Sequence, residues 1–301
     1  MPECVKSNLS CRKTHIALHF AMPSCPHAEI PVNVITSLSN PKIKDAVKLR
    51  EGKHRRQAGK FLIDGERELR RAVQAGIPIL ELFTVHPPSS VPSCFYEETT
   101  RIRQVTEPVF RKIAYGDRED GIVAVAEEPV LTFDRFEAKI KQKGDPLLAV
   151  VEKISKPGNL GAVFRSADAA GFDGVMIADL HLDPFHYNSI RSSLGTVFHV
   201  PTVSESSAMI CQWLKDQGIQ IAAAWCGGKT LPYTAIDFCR PTAIVLGSEA
   251  EGLSGVWSGE GITGVTLPMQ GIADSLNVSV AAGILFYEAR RQRCSSPPKG
   301  G

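Results

Sequence analysis

Apolar residues recur along this chain in two patterns: short unbroken runs, and positions spaced three or four residues apart. The short runs predict buried strands, and the wider spacing predicts helices with one packed face. In the first part of the chain the two patterns alternate, which predicts a small α/β module. Its expected strands are 61–63, 80–85, 102–105 and 122–126, and its expected helices are 40–53, 66–75 and 107–113.

The second part of the chain repeats a strand followed by a helix. The run Leu147–Val151 is apolar throughout, which is typical of strands that are buried on both faces of a parallel sheet. We therefore expect a mostly parallel sheet covered by helices, and an α/β fold overall. Further strands are expected at 174–178, 220–224, 242–246 and 264–267, and helices at 162–170 and from 275 onward.

These patterns divide the chain into two expected domains, 32–127 and 147–293. Residues 1–31 are expected to be a flexible extension, and 294–301 a flexible tail. Residues 128–146 mix charges of both signs and contain a glycine, so we expect a linker or a linking helix there.

Length and cysteine content limit the class of protein. At 301 residues the chain is long enough for two domains, each with its own core. No apolar stretch approaches the roughly 18 residues of a membrane-spanning helix, and the N-terminal region lacks the apolar segment of a signal peptide. The eight cysteines are scattered and form no CxxC pair, which is typical of free thiols in a reducing cytoplasm.

The distribution of charge is more informative than its total. The formal net charge is only +2, yet residues 42–71 contain eleven Lys and Arg against five Asp and Glu. Such a local excess of cations attracts phosphates, although a solvated helix face has the same composition. The candidate contacts of a nucleic acid in this segment are Lys53, Arg55, Arg56 and Arg67.

Polar residues follow three of the expected strands of the second domain. Asn159 and Arg165 follow the first strand, Glu249 follows the strand 242–246, and Asn277 follows the last. Ligands of open parallel sheets bind at the carboxyl ends of the strands, so these side chains are candidates for one site. Ser275 is expected to be the N-cap of the last helix.

Three segments occur in a fixed order along the second domain. They are Asn159-x-Gly161 with Arg165; Gly247-Ser248-Glu249-x-x-Gly252-Leu253; and Leu267-Pro268-Met269-x-Gly271 followed by Ser275-Leu276-Asn277-Val278-Ser279. Together they closely resemble the motifs of the SpoU (TrmH-type) RNA ribose 2′-O-methyltransferases of the SPOUT superfamily. Residues 34–44 and 59–67 resemble the small RNA-binding domain, similar to a ribosomal protein, that precedes many of these enzymes.

The resemblance implies an S-adenosylmethionine-dependent enzyme that methylates a ribose 2′-hydroxyl of RNA. It also implies a trefoil-knotted catalytic domain and a homodimer, neither of which the sequence pattern itself shows. The cysteines and histidines of residues 4–27 have spacings that match no zinc-site pattern, so we expect no metal. The N-terminal module favours 23S ribosomal RNA as the substrate, with tRNA as the alternative. Two further alternatives stay open, a catalytically silent RNA-binding protein of the same fold and a base-methylating relative.

The resemblance also assigns roles to the four polar residues. Arg165 is implied to activate the hydroxyl, either beside a substrate phosphate or as a base; since arginine stays protonated, we favour the phosphate clamp. Asn159 would orient the ribose or Arg165, or simply form a turn. Glu249 would hold Arg165 or a loop, or complement a helix dipole. Asn277 would position the hydroxyl, anchor the ligand loop, or only start a helix.

The cofactor is implied to bind through backbone groups and apolar walls. The segment Gly158–Gly161 lacks the GxGxxG pattern, which argues against a dinucleotide site and against the commoner Gly-rich methyltransferase fold. The implied cofactor contacts are Gly247, Leu267, Met269 and Leu276, with Ser248, Gly271 and Ser275 nearby.

A further run, around residues 193–201, resembles a segment that helps to build the catalytic edge in this family. It makes Arg191 and Ser193 additional candidates for RNA contact. His181, His186 and His199 lie close to it in sequence and are conceivable as metal ligands, but we favour a loop at the RNA-facing edge.

Overall fold

The protein consists of two β-sheets, each with helices packed on it. The structure is a computed structural model, and it describes residues 34–116, 119–140, 144–180, 182–225, 229–248 and 251–295. The helices are α1 Pro41–Lys48, α2 Gly52–Ala58, α3 Glu66–Gln74, α4 Glu107–Ile113, α5 Phe133–Ile140, α6 Pro157–Ala170, α7 Tyr187–Ser192, α8 Ser207–Asp216 and α9 Val278–Ser295. The strands are β1 Lys60–Asp64, β2 Ile79–Thr84, β3 Arg101–Gln104, β4 Ile122–Glu127, β5 Leu147–Glu152, β6 Gly174–Ala178, β7 Thr202–Glu205, β8 Gln220–Ala224, β9 Leu231–Pro232, β10 Thr242–Leu246 and β11 Ile262–Thr266. Within the described residues, no helix is long and apolar enough to cross a membrane.

The first sheet has the strand order β1-β4-β2-β3. Strand β4 is antiparallel to both neighbours, and β2 and β3 are parallel. Alternate residues of β1 face opposite sides: Leu62 packs in the core beneath α1 and α4, while Phe61 and Ile63 pack in the core on the other face. The four expected strands of this module are confirmed to within one residue of their bounds.

The expected helix 40–53 is wrong, because the chain breaks it into two. Helix α1 ends at Lys48, and α2 begins only at Gly52. The guanidinium of Arg55 binds the carbonyl oxygen of Leu49 at 2.9 Å, so this carbonyl is satisfied outside any helical ladder. Glycine is also a poor residue for continuing a helix.

The second sheet has seven strands in the order β7-β6-β5-β10-β8-β11-β9, and every described pair of neighbours is parallel. The central strands β5 and β10 are buried along their whole length, which explains their unbroken apolar runs. Helices α6 and α9 cover one face, and α5 and α8 cover the other. The expectation of a mostly parallel, helix-covered sheet is confirmed.

Two helices near the sheet edge begin elsewhere than expected. Helix α6 begins at Pro157, so Asn159 lies in its first turn rather than in a loop. Helix α9 begins at Val278, and Asn277 caps it: the Oδ1 of Asn277 accepts the backbone N–H of Ser279 at 2.9 Å. The expectation that Ser275 is the N-cap is therefore wrong.

The two sheets are joined by a continuous core. Phe61 of β1 stacks on Phe185 and Phe198 of the second region, with ring centroids 4.9 and 5.8 Å apart. Beside them the Nε of Arg55 donates to the Oδ2 of Asp183 in a buried ion pair. These contacts fix the position of the first sheet against the segment that precedes α7. Residues 128–146, expected to link the two domains, contain α5. The expected tail 294–301 starts too early, because α9 continues to Ser295. Residues 1–31 and 296–301 lie outside the described part of the chain.

Candidate active site

The structure brings Asn159 and Asn277 into contact. The Nδ2 of Asn277 donates to the Oδ1 of Asn159 at 3.3 Å, across 118 residues of sequence. The contact forms because α6 follows β5 and packs along α9. Both side chains remain partly or fully exposed, so the pair lies at the surface, where a substrate can reach it.

Arg165 lies on the same helix as Asn159 but is not beside it. Arg165 is six positions further along the helix, which is about 9 Å along the axis and about 120° around it. Its side chain is exposed, and no ion pair or hydrogen bond to another described residue holds its guanidinium. Glu249, which we expected to hold Arg165, falls outside the described residues.

A cavity of about 370 Å³ lies at the carboxyl ends of β8, β10 and β11, next to the asparagine pair. Asn277 stands between two of its lining residues, Leu276 and Val278. Six of the seven expected cofactor contacts line this cavity, and Gly271 does not. The six are Gly247, Ser248, Leu267, Met269, Ser275 and Leu276.

The loop after β10 forms one wall of the cavity by folding back on itself. Ser248 and Gly252 pair as an isolated bridge, and Gly252 has a φ of +67°. A Cβ on Gly247 would lie 2.4 Å from the backbone carbon of Gly252, so only glycine fits there. The second motif therefore owes its glycines to backbone packing at the cavity wall.

A buried carboxylate that we did not predict as a site residue anchors this wall. Glu152, at the end of β5, is completely buried and accepts the backbone N–H and the Oγ of Ser254, both at 2.7 Å. It also accepts the indole N–H of Trp257 at 2.9 Å and the hydroxyl of Ser207. A charged residue directly after five apolar ones was the available signal in the sequence.

The other wall is a loop whose backbone is free to bind a ligand. Among the described residues, no backbone hydrogen bond ties down positions 267–276. Small-molecule sites are typically apolar cavities of roughly 300–1,000 Å³ with a few polar groups, often from the backbone. The cavity is lined by leucine, valine and glycine residues and by peptide groups of this loop, so it has the composition of a small-molecule site. Glu251 adds a carboxylate to the lining.

Comparison with known proteins identifies the family. Residues 146–287 match the model of the SpoU rRNA Methylase family, and residues 40–124 match that of the MRM3-like substrate binding domain. The chain is 31% identical over 257 residues to the 23S rRNA (guanosine(2553)-2′-O)-methyltransferase RlmP of Bacillus subtilis, covering 85% of this chain and 98% of that protein. The chain belongs to the SpoU rRNA methylase family.

Solved structures of the family agree with the fold. The SpoU methyltransferase AviRb from Streptomyces viridochromogenes, in complex with AdoMet, superposes with a TM-score of 0.74 at 29% identity, covering 86% of this chain and all of that one. An AdoMet-bound rRNA methyltransferase from Sinorhizobium meliloti gives a TM-score of 0.78 at 29% identity, with 86% and 98% coverage. Both the parallel sheet and the N-terminal module are therefore family features.

Two of the residues expected to contact RNA in this SpoU methylase are buried. Arg55 is 2% exposed and is occupied by Asp183, so it joins the two sheets rather than facing a ligand. Ser193 is fully buried, and its Oγ donates to the carbonyl oxygen of Ile190 at 2.9 Å. We therefore correct both assignments. Lys53, Arg56, Arg67 and Arg191 are exposed.

The histidines near α7 have structural surroundings. His186 caps α7, because its Nδ1 accepts the N–H of Asn188 at 3.2 Å. Burial, and next the positive charge of Arg55, lower the pKa of His186, which favours the neutral, accepting form. Nearby, burial raises the pKa of Tyr115 to about 12. His199 is exposed, and His181 is outside the described residues.

Proposed function

We propose that this protein transfers the methyl group of S-adenosylmethionine to a ribose 2′-hydroxyl of RNA, with 23S ribosomal RNA as the favoured substrate. The observation that carries the proposal is the asparagine pair Asn159–Asn277 at the edge of the 370 Å³ cavity. It places polar groups suited to a ribose directly beside a site suited to the cofactor.

The cavity residues fit S-adenosylmethionine. Leu267, Met269 and Leu276 would enclose its adenosine, and the free peptide groups of positions 267–276 would bind its polar edges. The exposed carboxylate of Glu251, 3.8 Å from the ammonium group of Lys153, adds a charged pair at the rim of the cavity. When bound, the cofactor supplies a methyl group on a sulfonium sulfur, which is an electrophile.

The chain's own residues would orient the RNA toward that methyl group. The exposed, positively charged guanidinium of Arg165 would clamp a phosphate next to the reacting ribose. As the hydroxyl oxygen takes the methyl group, its proton would pass to that phosphate or to solvent water. The amides of Asn159 and Asn277 would hold the ribose hydroxyl in line. Glu249 stays a proposed partner of Arg165.

The relatives favour ribosomal RNA over tRNA. The chain matches 98% of the length of RlmP. It also matches 86% of the length of a 23S rRNA (uridine(2479)-2′-O)-methyltransferase from Streptomyces viridochromogenes, at 32% identity. The N-terminal module, proposed as residues 32–127, would bind the RNA and present its exposed cations to the phosphates. Those cations are Lys53, Arg56 and Arg67, joined by Arg191 of α7.

The exposed face of α9 supports a homodimer. Val280, Ile284 and Tyr287 recur at helical spacing and are 50, 37 and 56% exposed, so they form an apolar stripe without a partner in the single chain. A second copy would cover it.

Two further observations support the other expectations. The insertion of β10 between β5 and β8 is compatible with the proposed trefoil knot. The free thiols of Cys94, Cys211, Cys239 and Cys294 support a reducing cytoplasm.

Binding and transfer test the proposal together. Calorimetry should show S-adenosylmethionine binding that Leu276→Trp, which fills the cavity, weakens at least tenfold. The control Ile272→Trp, at a fully exposed position of the same loop, should leave the Kd unchanged. Labelled cofactor should then methylate ribosomal RNA. Label in tRNA alone would change the substrate, and RNA binding without cofactor binding would favour a silent RNA-binding protein.

A further inference from the structure

The first domain contains a groove of about 620 Å³ that is separate from the cofactor cavity. Helices α1 and α2 form one side, and the ends of the four strands of the first sheet form the other. Its floor is apolar: Leu49, Ile79 and Val125 line it and are each 7% exposed. The groove is thus a concave apolar surface, open to solvent, on the module that matches a substrate binding domain.

Two cations without partners mark the two ends of this groove. Lys60 begins β1 and Arg101 begins β3, the two edge strands of the sheet. Their side chains are exposed and make no ion pair or hydrogen bond with any described residue. Three strand spacings of about 4.8 Å separate the edge strands, and Arg101 is in register with Leu62, two residues beyond Lys60. The α-carbons of the two cations are therefore about 16 Å apart.

Other cations along the groove are already neutralised. Lys48 lies 3.1 Å from Asp45, and Lys42 lies 3.7 Å from Glu81. The attraction for an anion is therefore concentrated at Lys60 and Arg101, with apolar floor between them. A ligand that fits has negative charges at two separated points and a flat apolar part between them.

We propose that this groove binds a short single-stranded stretch of the substrate RNA, with phosphates at Lys60 and Arg101 and a base against the apolar floor. Unstacked bases of RNA loops are recognised by packing and by hydrogen bonds at their edges. Gln57 and Thr99, which line the groove, supply such hydrogen-bonding groups. The inference rests on the proposed function and adds a second, cofactor-independent contact with the same substrate.

The double variant Lys60→Ala/Arg101→Ala tests the groove. Each phosphate contact with a single strand contributes about 0.7 to the slope of log affinity against log salt, so the slope should fall by about 1.4. The Kd for ribosomal RNA should rise at least tenfold, while the Kd for S-adenosylmethionine stays unchanged and shows that the fold is intact. The control Lys44→Ala/Arg135→Ala removes two exposed charges outside the groove and should retain the wild-type slope.

The outcomes separate the groove from the function. Wild-type protein that methylates RNA, with the double variant matching its control, would overturn the groove alone. Wild-type protein that neither binds nor methylates RNA would overturn both. In a second measurement, p-benzoylphenylalanine at position 99 of the full chain should crosslink to RNA; crosslinks only to residues 1–33 or to a second copy would contradict the proposal.

Discussion

Gly161→Ala should destabilise the protein because the backbone of α7 lies directly against Gly161 of α6. A Cβ there would lie 2.3 Å from the carbonyl oxygen of Ser189 and 2.8 Å from the backbone nitrogen of Ser193. It would also lie 2.0 Å from the Oγ of Ser192. That hydroxyl can rotate away, but the two backbone atoms can move only with α7 itself.

The size of the effect follows from these distances. Ordinary van der Waals contact begins at 3.4 Å, so α7 must shift by about 1 Å. Overpacking of this kind costs about 1–3 kcal/mol, with the upper end expected for backbone neighbours. Replacing glycine by alanine inside a helix returns about 0.5–1 kcal/mol. The net loss in the free energy of unfolding should be about 2 kcal/mol.

Gly158→Ala on the same helix is the matched control. No atom lies within 4 Å of a Cβ at Gly158, so this variant should be as stable as the wild type or more stable by up to about 1 kcal/mol. Urea unfolding of both variants, with equal m-values, measures the difference directly. If Gly161→Ala is as stable as Gly158→Ala, the tight contact between α6 and α7 does not exist and this account of the glycine is refuted.

Three further predictions concern buried or half-buried polar groups. Arg55→Met leaves the carboxylate of Asp183 buried without its partner and should lower the free energy of unfolding in urea by about 3–5 kcal/mol. The double variant Arg55→Met/Asp183→Asn should recover part of this loss, and an unchanged unfolding midpoint in Arg55→Met would contradict the ion pair. Glu152→Gln puts an amide donor against the donors of Ser254, so it should lower the free energy of unfolding by about 1–3 kcal/mol and weaken cofactor binding. Wild-type stability together with a wild-type cofactor Kd would refute the anchoring role. Because the pKa of Tyr115 is raised to about 12, only the unfolded chain ionises this phenol between pH 10 and 12. The free energy of unfolding should therefore fall as the pH rises through that window, and less steeply in Tyr115→Phe. Identical slopes of stability against pH in the two proteins would disprove the assignment.

The strands of the first sheet and the central strands of the second were predictable because burial makes their sequences apolar, whereas the edge strands β7 and β9 were missed. Runs such as those of β5 and β10 are apolar throughout since both faces of the sheet are covered, and no distant partner is needed to recognise them. The cavity was largely predictable for a related reason, since glycines directly after strand ends indicate close backbone packing or ligand approach. Gly247 shows the backbone packing.

The errors share a physical cause, which is dependence on partners far away in sequence. Arg55 has the local appearance of a surface cation, but its partner Asp183 is 128 residues away. Helix starts depend on single hydrogen bonds, so pattern alone could not choose between Ser275 and Asn277 as the N-cap of α9. The role of Glu152 was equally hidden, because the groups that it binds come from 55 and 102 residues further along the chain.

The most direct test of the central proposal is the position of the transferred methyl group on ribosomal RNA. Wild-type protein and Arg165→Ala should be incubated with labelled S-adenosylmethionine and 23S ribosomal RNA, and the labelled nucleotide digested to separate ribose from base. Label is expected on a ribose 2′-oxygen, and the rate of methyl transfer should fall about 100-fold or more in Arg165→Ala with an unchanged Kd for the cofactor. Label on a base, or full activity in Arg165→Ala, would contradict the proposal.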